Sequence, residues 1–248
     1  MDMVLLTALG VGGATVVGAG LGFLFKNITH KFSDIAISFA AGIMLCAAVI
    51  GLILPSLDYG VQYVNLLITA IGVIVGAIVI NLADKFVPHL HKLMGTTNED
   101  KKLSKILLFV LAIAIHNLPE GLAAGVSFGS ENINHALVIA GGIALQNIPE
   151  GMVIIAPMLS SGVSKGKTFF IASLTGVIEV IGTLIGYFAS SISAIVLPFA
   201  LAFAGGAMLY VISHEMIPET HAHGYQKGAT YSLIIGFLLM LIVDFLLG

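Results

Sequence analysis

Charged side chains are scarce in this chain of 248 residues: only 9% are Asp, Glu, Lys or Arg, whereas 58% are hydrophobic. An ordinary soluble domain carries about 25% charged residues, which it needs to cover its surface. The scarcity of charge therefore excludes a large soluble domain and favours an integral membrane protein. The first residues lack a positively charged segment, so we expect a retained helix there and not a cleaved signal peptide.

Cysteine, tryptophan and arginine are rare or missing. Cys46 is the single cysteine, which excludes an internal disulfide and a CxxC metal site. Without tryptophan, aromatic anchors at the membrane interface would be Tyr and Phe. All ten cations are lysines, and they form no cluster that would grip phosphates, so we expect no nucleic-acid partner.

Eight apolar segments are long enough to cross a bilayer as helices. A spanning helix needs about 20 apolar residues, which leaves room here for short loops only. The sequence predicts an all-α integral membrane protein: one polytopic domain over residues 1–248, with a polar cytoplasmic loop at about 85–102. The predicted spans cover residues 3–25, 34–57, 63–84, 103–128, 135–161, 166–190, 193–217 and 226–247.

The lysines predict the orientation of these spans. All ten lie in or beside the connections after the first, third, fifth and seventh predicted spans. Because cytoplasmic loops are enriched in Lys and Arg, this pattern puts the lysine-bearing ends in the cytoplasm and both termini outside. A miscount by one span would scatter the lysines over both faces, so their one-sided distribution independently favours eight spans.

Four glutamates interrupt the apolar spans: Glu120, Glu150, Glu179 and Glu215. A charged side chain at mid-bilayer costs at least about 2.5–3.5 kcal/mol, so we expect these four to face one another, water or a cation. Carboxylates cannot neutralise one another, and no lysine lies at their depth. The missing positive charge is therefore supplied by protons or by metal ions.

Two related motifs, HNLPEG and QNIPEG, occur in the fourth and fifth predicted spans. In each, the first residue precedes the glutamate by four positions and the asparagine precedes it by three, so the three side chains share one helix face. They are His116, Asn117 and Glu120 in one helix and Gln146, Asn147 and Glu150 in the other. Two such faces opposite each other would form adjacent pockets sharing both glutamates, which predicts a binuclear metal site.

Pro119 and Pro149 within these motifs each remove one intrahelical hydrogen bond and predict a kink at the centre of the fourth and fifth spans. A carbonyl freed at that depth is tolerated beside a polar cavity. The alternative interpretation is that the polar side chains are only hydrogen-bond partners between helices, but two spaced copies and further glutamates favour a site. Imidazole, carboxylates and amides suit zinc, iron, manganese and related ions more than calcium or copper(I).

With these motifs the chain resembles the ZIP family (Zrt- and Irt-like proteins) of divalent metal transporters, and its GufA-like branch most. The motif pair resembles the family's fourth and fifth helices. The segment SLTGVIEVIGTLIG around Glu179 resembles its sixth helix, and AGGAMLYVISHEMIPETH around His214 resembles its seventh. The segment DIAISFAAGIMLCAAVIGLILPSLD resembles its second, so the resemblance covers essentially the whole chain.

The resemblance implies a binuclear site midway through the membrane. One metal would be held by His116, Glu120, Gln146 and Glu150, with Met44 nearby. The other would be held by Asn117, Glu120, Asn147, Glu150 and Glu179. Relatives can carry an aspartate at the position of Asn147, so the asparagine here removes one negative charge from the second pocket.

The resemblance also implies a path for the ion. Asp58 would lie at the entrance, and His214 and Glu215 on the exit side. A cytoplasmic relay would be formed by His89, His91, His221 and His223. Family members move one group of helices past another like an elevator, and the glycine-rich first span is compatible with such a slide.

The expected function is uptake of zinc, or of related cadmium, iron, manganese or cobalt ions, across the plasma (cytoplasmic, or inner) membrane. No covalent bond is broken, so we expect a transporter without a cofactor and not an enzyme; a homodimer is compatible with the sequence. One alternative is an intramembrane metal-dependent hydrolase, although the chain has no HExxH motif. A proton channel or non-metal carrier that uses the carboxylates as a relay is the other.

Overall fold

The computed structural model describes residues 1–25, 28–59, 62–93, 115–130, 132–160, 162–192 and 196–248, and the regular structure in these ranges is helical. We number the helices in chain order. They are α1 (Asp2–Gly22), α2 (His30–Ser56), α3 (Gln62–Leu93), α4 (115–127), α5 (Ile133–Ser160), α6 (Lys165–Ser191), α7 (Val196–Thr220) and α8 (Gln226–Leu247).

Within the described ranges, seven helices are long and apolar enough to cross a membrane. This confirms the predicted class, an α-helical membrane protein. The remaining helix, α4, is described over residues 115–127, whereas the predicted fourth span begins at 103, outside the described residues. The count of eight spans, the kinks and the extracytoplasmic termini therefore stay predictions.

Several helix ends differ from the predicted boundaries, two of them for identifiable reasons. Helix α2 begins at His30 and not at 34, because the Thr29 hydroxyl caps it by accepting a hydrogen bond from the Phe32 amide at 3.2 Å. Helix α3 continues to Leu93, so residues 85–93 are helical although we predicted a loop from 85. Polar residues end the apolar span there without ending the helix.

Two helices contain a widened π-helical turn just before a proline. In α2 the turn covers Ala47–Ile53 and precedes Pro55, and in α7 it covers Ile212–Met216 and precedes Pro218. A proline has no amide hydrogen, and its ring crowds the carbonyl four residues earlier, so a wider turn relieves the crowding. The turn in α7 contains His214 and Glu215, and it changes the direction in which those side chains leave the helix.

The helices pack in two groups. In group A, α1 packs against α5 and α6, and α4 packs against α6; in group B, α2 packs against α8, and α3 against α7. Glycines bring backbones into direct contact inside each group: a Cβ atom on Gly12 would lie 2.2 Å from the carbonyl oxygen of Gly176, and one on Gly42 would lie 2.0 Å from that of Leu233. Between the groups, a Cβ on Gly51 would meet the side chain of Ile139.

Candidate functional site

Glu179 of α6 is the centre of a buried polar cluster inside group A. Its Oε1 atom accepts hydrogen bonds from the Thr15 hydroxyl of α1, at 2.6 Å, and from the Asn117 amide of α4. Its Oε2 atom accepts one from Nδ2 of Asn147 in α5, at 2.6 Å. All four helices of the group thus contribute a side chain, and the carboxylate itself has no exposed surface.

The two motif helices meet through Glu120 of α4 and Gln146 of α5. Nε2 of Gln146 donates to Oε1 of Glu120 at 2.8 Å, and both side chains are buried. Among the residues of the two motifs, four buried oxygens have no hydrogen-bond partner in the described part of the chain: Oε2 of Glu120, Oε1 of Gln146, Oδ1 of Asn147 and Oε1 of Glu150. Buried acceptors are normally satisfied, so this group requires an explanation.

The cluster brings together three carboxyl groups, which would carry three negative charges if all were ionised. The carboxylates of Glu120, Glu150 and Glu179 lie close enough for their charges to interact with one another. The donors that reach them are neutral amides and a hydroxyl, which leave the negative charge uncompensated. His116 is the neighbour that interacts favourably with the Glu150 charge. The arrangement thus favours a bound cation or protonation.

A cavity of about 260 Å³ leads away from this cluster. Glu120 and Glu150 line its inner end, and Glu215 of α7 lines it further along. His30 at the start of α2 and His223 after α7 line it near the helix ends. The cavity therefore lies between groups A and B and connects the buried carboxylates with the ends of α2 and α7.

His116 contacts a partner that the motif spacing did not predict. Its Nε2 atom pairs with Oε2 of Glu215, and the two side chains are 24% and 22% exposed. This pair joins α4 in group A to α7 in group B. Glu215, predicted on the exit path, thus lies beside the motif histidine.

Three other predicted residues lie away from the cluster. Met44 is fully buried in the apolar core and does not line the cavity. Asp58 is exposed in the turn after α2, where its amide donates to the Pro55 carbonyl at 3.1 Å. His214 faces α3, with Nε2 3.9 Å from Oδ2 of Asp84 and a side chain that is 58% exposed.

The histidines of the predicted relay have different surroundings. Nδ1 of His221 lies 2.8 Å from the Ile217 carbonyl oxygen, so its ring is held at the end of α7. His223 lines the cavity and contacts Asp34. The side chains of His89 and His91 lie outside the described part of the structure.

Sequence reasoning missed two residues of the polar interior. Thr15 is the hydroxyl donor to Glu179 and the polar residue among the buried glycines and apolar residues of α1. Asp34 is 2% exposed and lies four residues after His30, a spacing that would have flagged the pair as sharing a face. Across the described ranges, no three His, Cys, Asp or Glu side chains form a ready-made metal-binding group, because amides alternate with the acids here.

Comparison with known proteins identifies relatives along the whole chain. Residues 97–244 match the family model described as ZIP Zinc transporter. The chain is 46% identical to the zinc transporter GufA of Myxococcus xanthus, over 72% of this chain and 71% of that protein. It is 37% identical to the zinc transporter ZIPB of Bordetella bronchiseptica, over 95% and 78%, and 33% identical to the zinc transporter ZIP11 of Xenopus tropicalis, over 98% and 97%.

Proposed function

Because the chain belongs to the ZIP zinc transporter family, as its motifs predicted, we propose that it carries zinc and related divalent ions across the plasma (inner) membrane into the cytoplasm. The similarity to GufA confirms the predicted GufA-like branch. The ion is the substrate: it is bound, moved and released, and no covalent bond changes. The named relatives support transport and not the hydrolase alternative.

One observation carries the proposal. Four buried oxygens of the motif residues receive no hydrogen bond in the described structure, and they lie beside the carboxylates of Glu120, Glu150 and Glu179. An oxygen in that position costs free energy unless a donor or a cation reaches it. A divalent ion between Glu120, Glu150 and the Gln146 amide oxygen would satisfy three of the four at once. Zinc accepts carboxylate and imidazole ligands together, which fits the neighbouring His116.

We further propose that the two pockets of a binuclear site are unequal. Both oxygens of Glu179 already accept hydrogen bonds, whereas Glu120 and Glu150 each keep one oxygen without a partner in the described structure. A cation in the Glu179 pocket must compete with three donors. The pocket of His116 is therefore the transport site, and the Asn147 pocket binds metal more weakly.

The cavity and the lysines support the proposed direction of transport. The cavity runs from Glu120 and Glu150 to His30 and His223. That end lies beside Lys31, one of the lysines that predict the cytoplasmic face. An ion released from the carboxylates into this cavity would leave on the cytoplasmic side.

An elevator-type motion is supported by the way the two groups pack. Within a group, glycines allow backbone-to-backbone contact, which fixes the helices relative to each other. At the boundary, Gly51 of α2 meets the side chain of Ile139, and Gly142 of α5 meets that of Met240 in α8. A boundary made of side chains can shift, so group A would carry the site past group B.

Zinc entry into sealed vesicles tests the function. Vesicles that contain the purified protein and a zinc-sensitive dye should show entry, and Glu120→Ala or His116→Ala should reduce the initial rate at least about tenfold, the effect of losing about 1.4 kcal/mol of binding. His135→Phe, a histidine outside the site, is the matched control. Normal zinc entry in both site variants would contradict the assignment of the site. The same vesicles would also rank cadmium, iron, manganese and cobalt by their rates of entry.

A further inference from the structure

A groove of about 350 Å³ lies where the first turns of α2 and α8 meet, and we call it the α2–α8 groove. Lys31 of α2 and Lys227 of α8 line it, together with Ile35 one turn further along α2. Gly224 and Tyr225 of the turn before α8 line it as well. The groove shares no lining residue with the cavity that leads to the buried carboxylates, so it is a separate feature of the protein.

The charge in the α2–α8 groove is positive and has no acidic partner. Neither Lys31 nor Lys227 forms an ion pair within the described part of the chain. The nearest acid along α2, Asp34, is buried and contacts His223 instead. The first turns of both helices lack acidic residues. Because a helix start carries a partial positive charge, two lysines at two helix starts favour a bound anion.

The start of α8 adds hydrogen-bond donors to these two cations. Tyr225, the residue before the helix, makes no capping hydrogen bond through its side chain. At the start of α2, in contrast, the Thr29 hydroxyl accepts the Phe32 amide. The first amides of a helix have no partner within the helix, so those of α8 can donate to the oxygens of an anion. Gly228, the third residue of α8, has no side chain that would cover them.

The surface of α8 beyond the groove is apolar and exposed. Tyr231 follows Lys227 by four residues, and Ile235 and Leu238 continue the same helix face. Their side chains are 68%, 58% and 46% exposed. Among the seven candidate spans in the described ranges, α8 is the least buried. A basic groove above an apolar face suits an anion that carries hydrocarbon tails better than it suits a free anion.

We propose that the α2–α8 groove binds the phosphate headgroup of an anionic phospholipid. Lys31 and Lys227 pair with the phosphate, and the amides at the start of α8 donate hydrogen bonds to it. The lipid tails lie along the exposed face of α8. Because the lysines predict that these helix ends are cytoplasmic, the lipid belongs to the cytoplasmic leaflet, where basic pockets between helices bind such headgroups. The bound lipid holds the α2–α8 side of group B at the membrane surface.

Lipid binding to the purified full-length protein in detergent tests the groove. Native mass spectrometry counts the bound molecules of phosphatidylglycerol, which is anionic, and of phosphatidylcholine with the same tails, which has no net charge. The wild type should retain phosphatidylglycerol preferentially. Lys31→Gln/Lys227→Gln should weaken that binding about 30-fold, or about fivefold for each lysine near an anionic headgroup. Lys165→Gln/Lys167→Gln is the matched control, because it removes the same charge at the start of α6, outside the groove, and should bind phosphatidylglycerol like the wild type.

Equal retention of the two lipids by the wild type would overturn the proposal, and so would phosphatidylglycerol binding that Lys31→Gln/Lys227→Gln leaves unchanged. An equal loss of binding in the control variant would also overturn it, because net charge and not the groove would then attract the lipid. Inorganic phosphate distinguishes a lipid from a free anion. If phosphate alone raises the melting temperature as much as phosphatidylglycerol does, the groove is a site for free anions. Both groove lysines are exposed, so their glutamine variants should fold.

Discussion

The Nε2 atom of His116 pairs with Oε2 of Glu215, and this contact crosses the boundary between the two helix groups. His116 belongs to α4 of group A, and Glu215 to the π-helical turn of α7 in group B. A metal ion bound through the same nitrogen would have to displace Glu215. On the proposed function, ion binding through this nitrogen would therefore also break a contact between the two groups.

Glu215→Gln tests this competition. The glutamine keeps the shape and removes the charge, so zinc no longer competes with an ion pair for His116. A partly exposed pair contributes up to about 1 kcal/mol, so we expect zinc to bind up to about fivefold more tightly. We also expect slower release, and hence a lower transport rate. Zinc titration of the purified protein and initial rates in vesicles measure the two effects.

Asp244→Asn is the matched control for this experiment. Asp244 pairs with His135 at 3.7 Å, so its variant also removes a carboxylate from a histidine, but outside the site. It should leave zinc affinity unchanged. Weaker zinc binding in Glu215→Gln would contradict the competition and indicate that Glu215 is itself a ligand.

Gly12→Ala should destabilise the protein, because the new methyl group would lie 2.2 Å from the carbonyl oxygen of Gly176 in α6. Overpacking of this kind costs about 1–3 kcal/mol. Gly13→Ala is the matched control, since a Cβ there meets nothing within 4 Å, and we expect no loss of stability. Cys46 is the only cysteine and is buried, so its labelling by a thiol-reactive dye during heating reports unfolding. Equal melting temperatures for the two variants would contradict the close α1–α6 contact.

Asn147→Asp should make the second pocket bind zinc more tightly. It should also lower the stability of the metal-free protein. The new carboxylate would stand where Nδ2 of Asn147 donates to Glu179 at 2.6 Å, so it replaces a hydrogen bond by like-charge repulsion. Losing a hydrogen bond to a charged group alone costs about 1.5–3 kcal/mol. Zinc bound between the two acids should restore the lost stability and raise the number of bound ions per protein by one.

The Cys46 labelling assay, with zinc or with a chelator, measures this effect, and metal analysis counts the ions. Asn132→Asp is the control, because the side chain of Asn132 accepts a hydrogen bond from the His135 amide at the exposed start of α5, and an aspartate oxygen can accept the same bond. A variant whose melting temperature does not respond to zinc would contradict the pocket at Asn147.

The motif cluster could be predicted from the sequence because its geometry is local. Spacings of three and four residues fix a shared helix face whatever the rest of the fold does. Gln146 and Glu120 then meet as soon as the two motif helices pack against each other. The same reasoning identified the apolar spans, because about 20 apolar residues suffice to mark one.

Contacts across the groups could not be predicted in this way. The pairing of His116 with Glu215 depends on the π-helical turn before Pro218, which turns Glu215 to the cavity and leaves His214 beside Asp84. The contact between Asp34 and His223 depends on how the turn after α7 folds back onto α2. Neither is encoded in a spacing along one helix.

The boundary between the groups allows a direct test of the sliding motion. A Cβ atom on Gly51 of α2 would lie 3.0 Å from Cγ1 of Ile139 in α5, which puts the two Cβ atoms within about 4.5 Å, the range for a disulfide. In a protein with Cys46→Ala, the pair Gly51→Cys and Ile139→Cys should cross-link on oxidation. If group A must move past group B, zinc transport should stop and should return on reduction.

A cross-link inside group B separates loss of motion from the effect of oxidation. A Cβ on Gly228 of α8 would lie 3.7 Å from Cγ1 of Ile35 in α2, so Gly228→Cys with Ile35→Cys places a second cysteine pair in contact, between two helices of the same group. Oxidation of that pair should leave the initial rate of zinc entry within about twofold of the reduced protein, since a difference below 0.5 kcal/mol corresponds to that ratio. If transport is instead unimpaired when the Gly51→Cys and Ile139→Cys pair is fully cross-linked, that result would exclude a slide along the α2–α5 contact, because ions would still cross while the two helices are covalently joined.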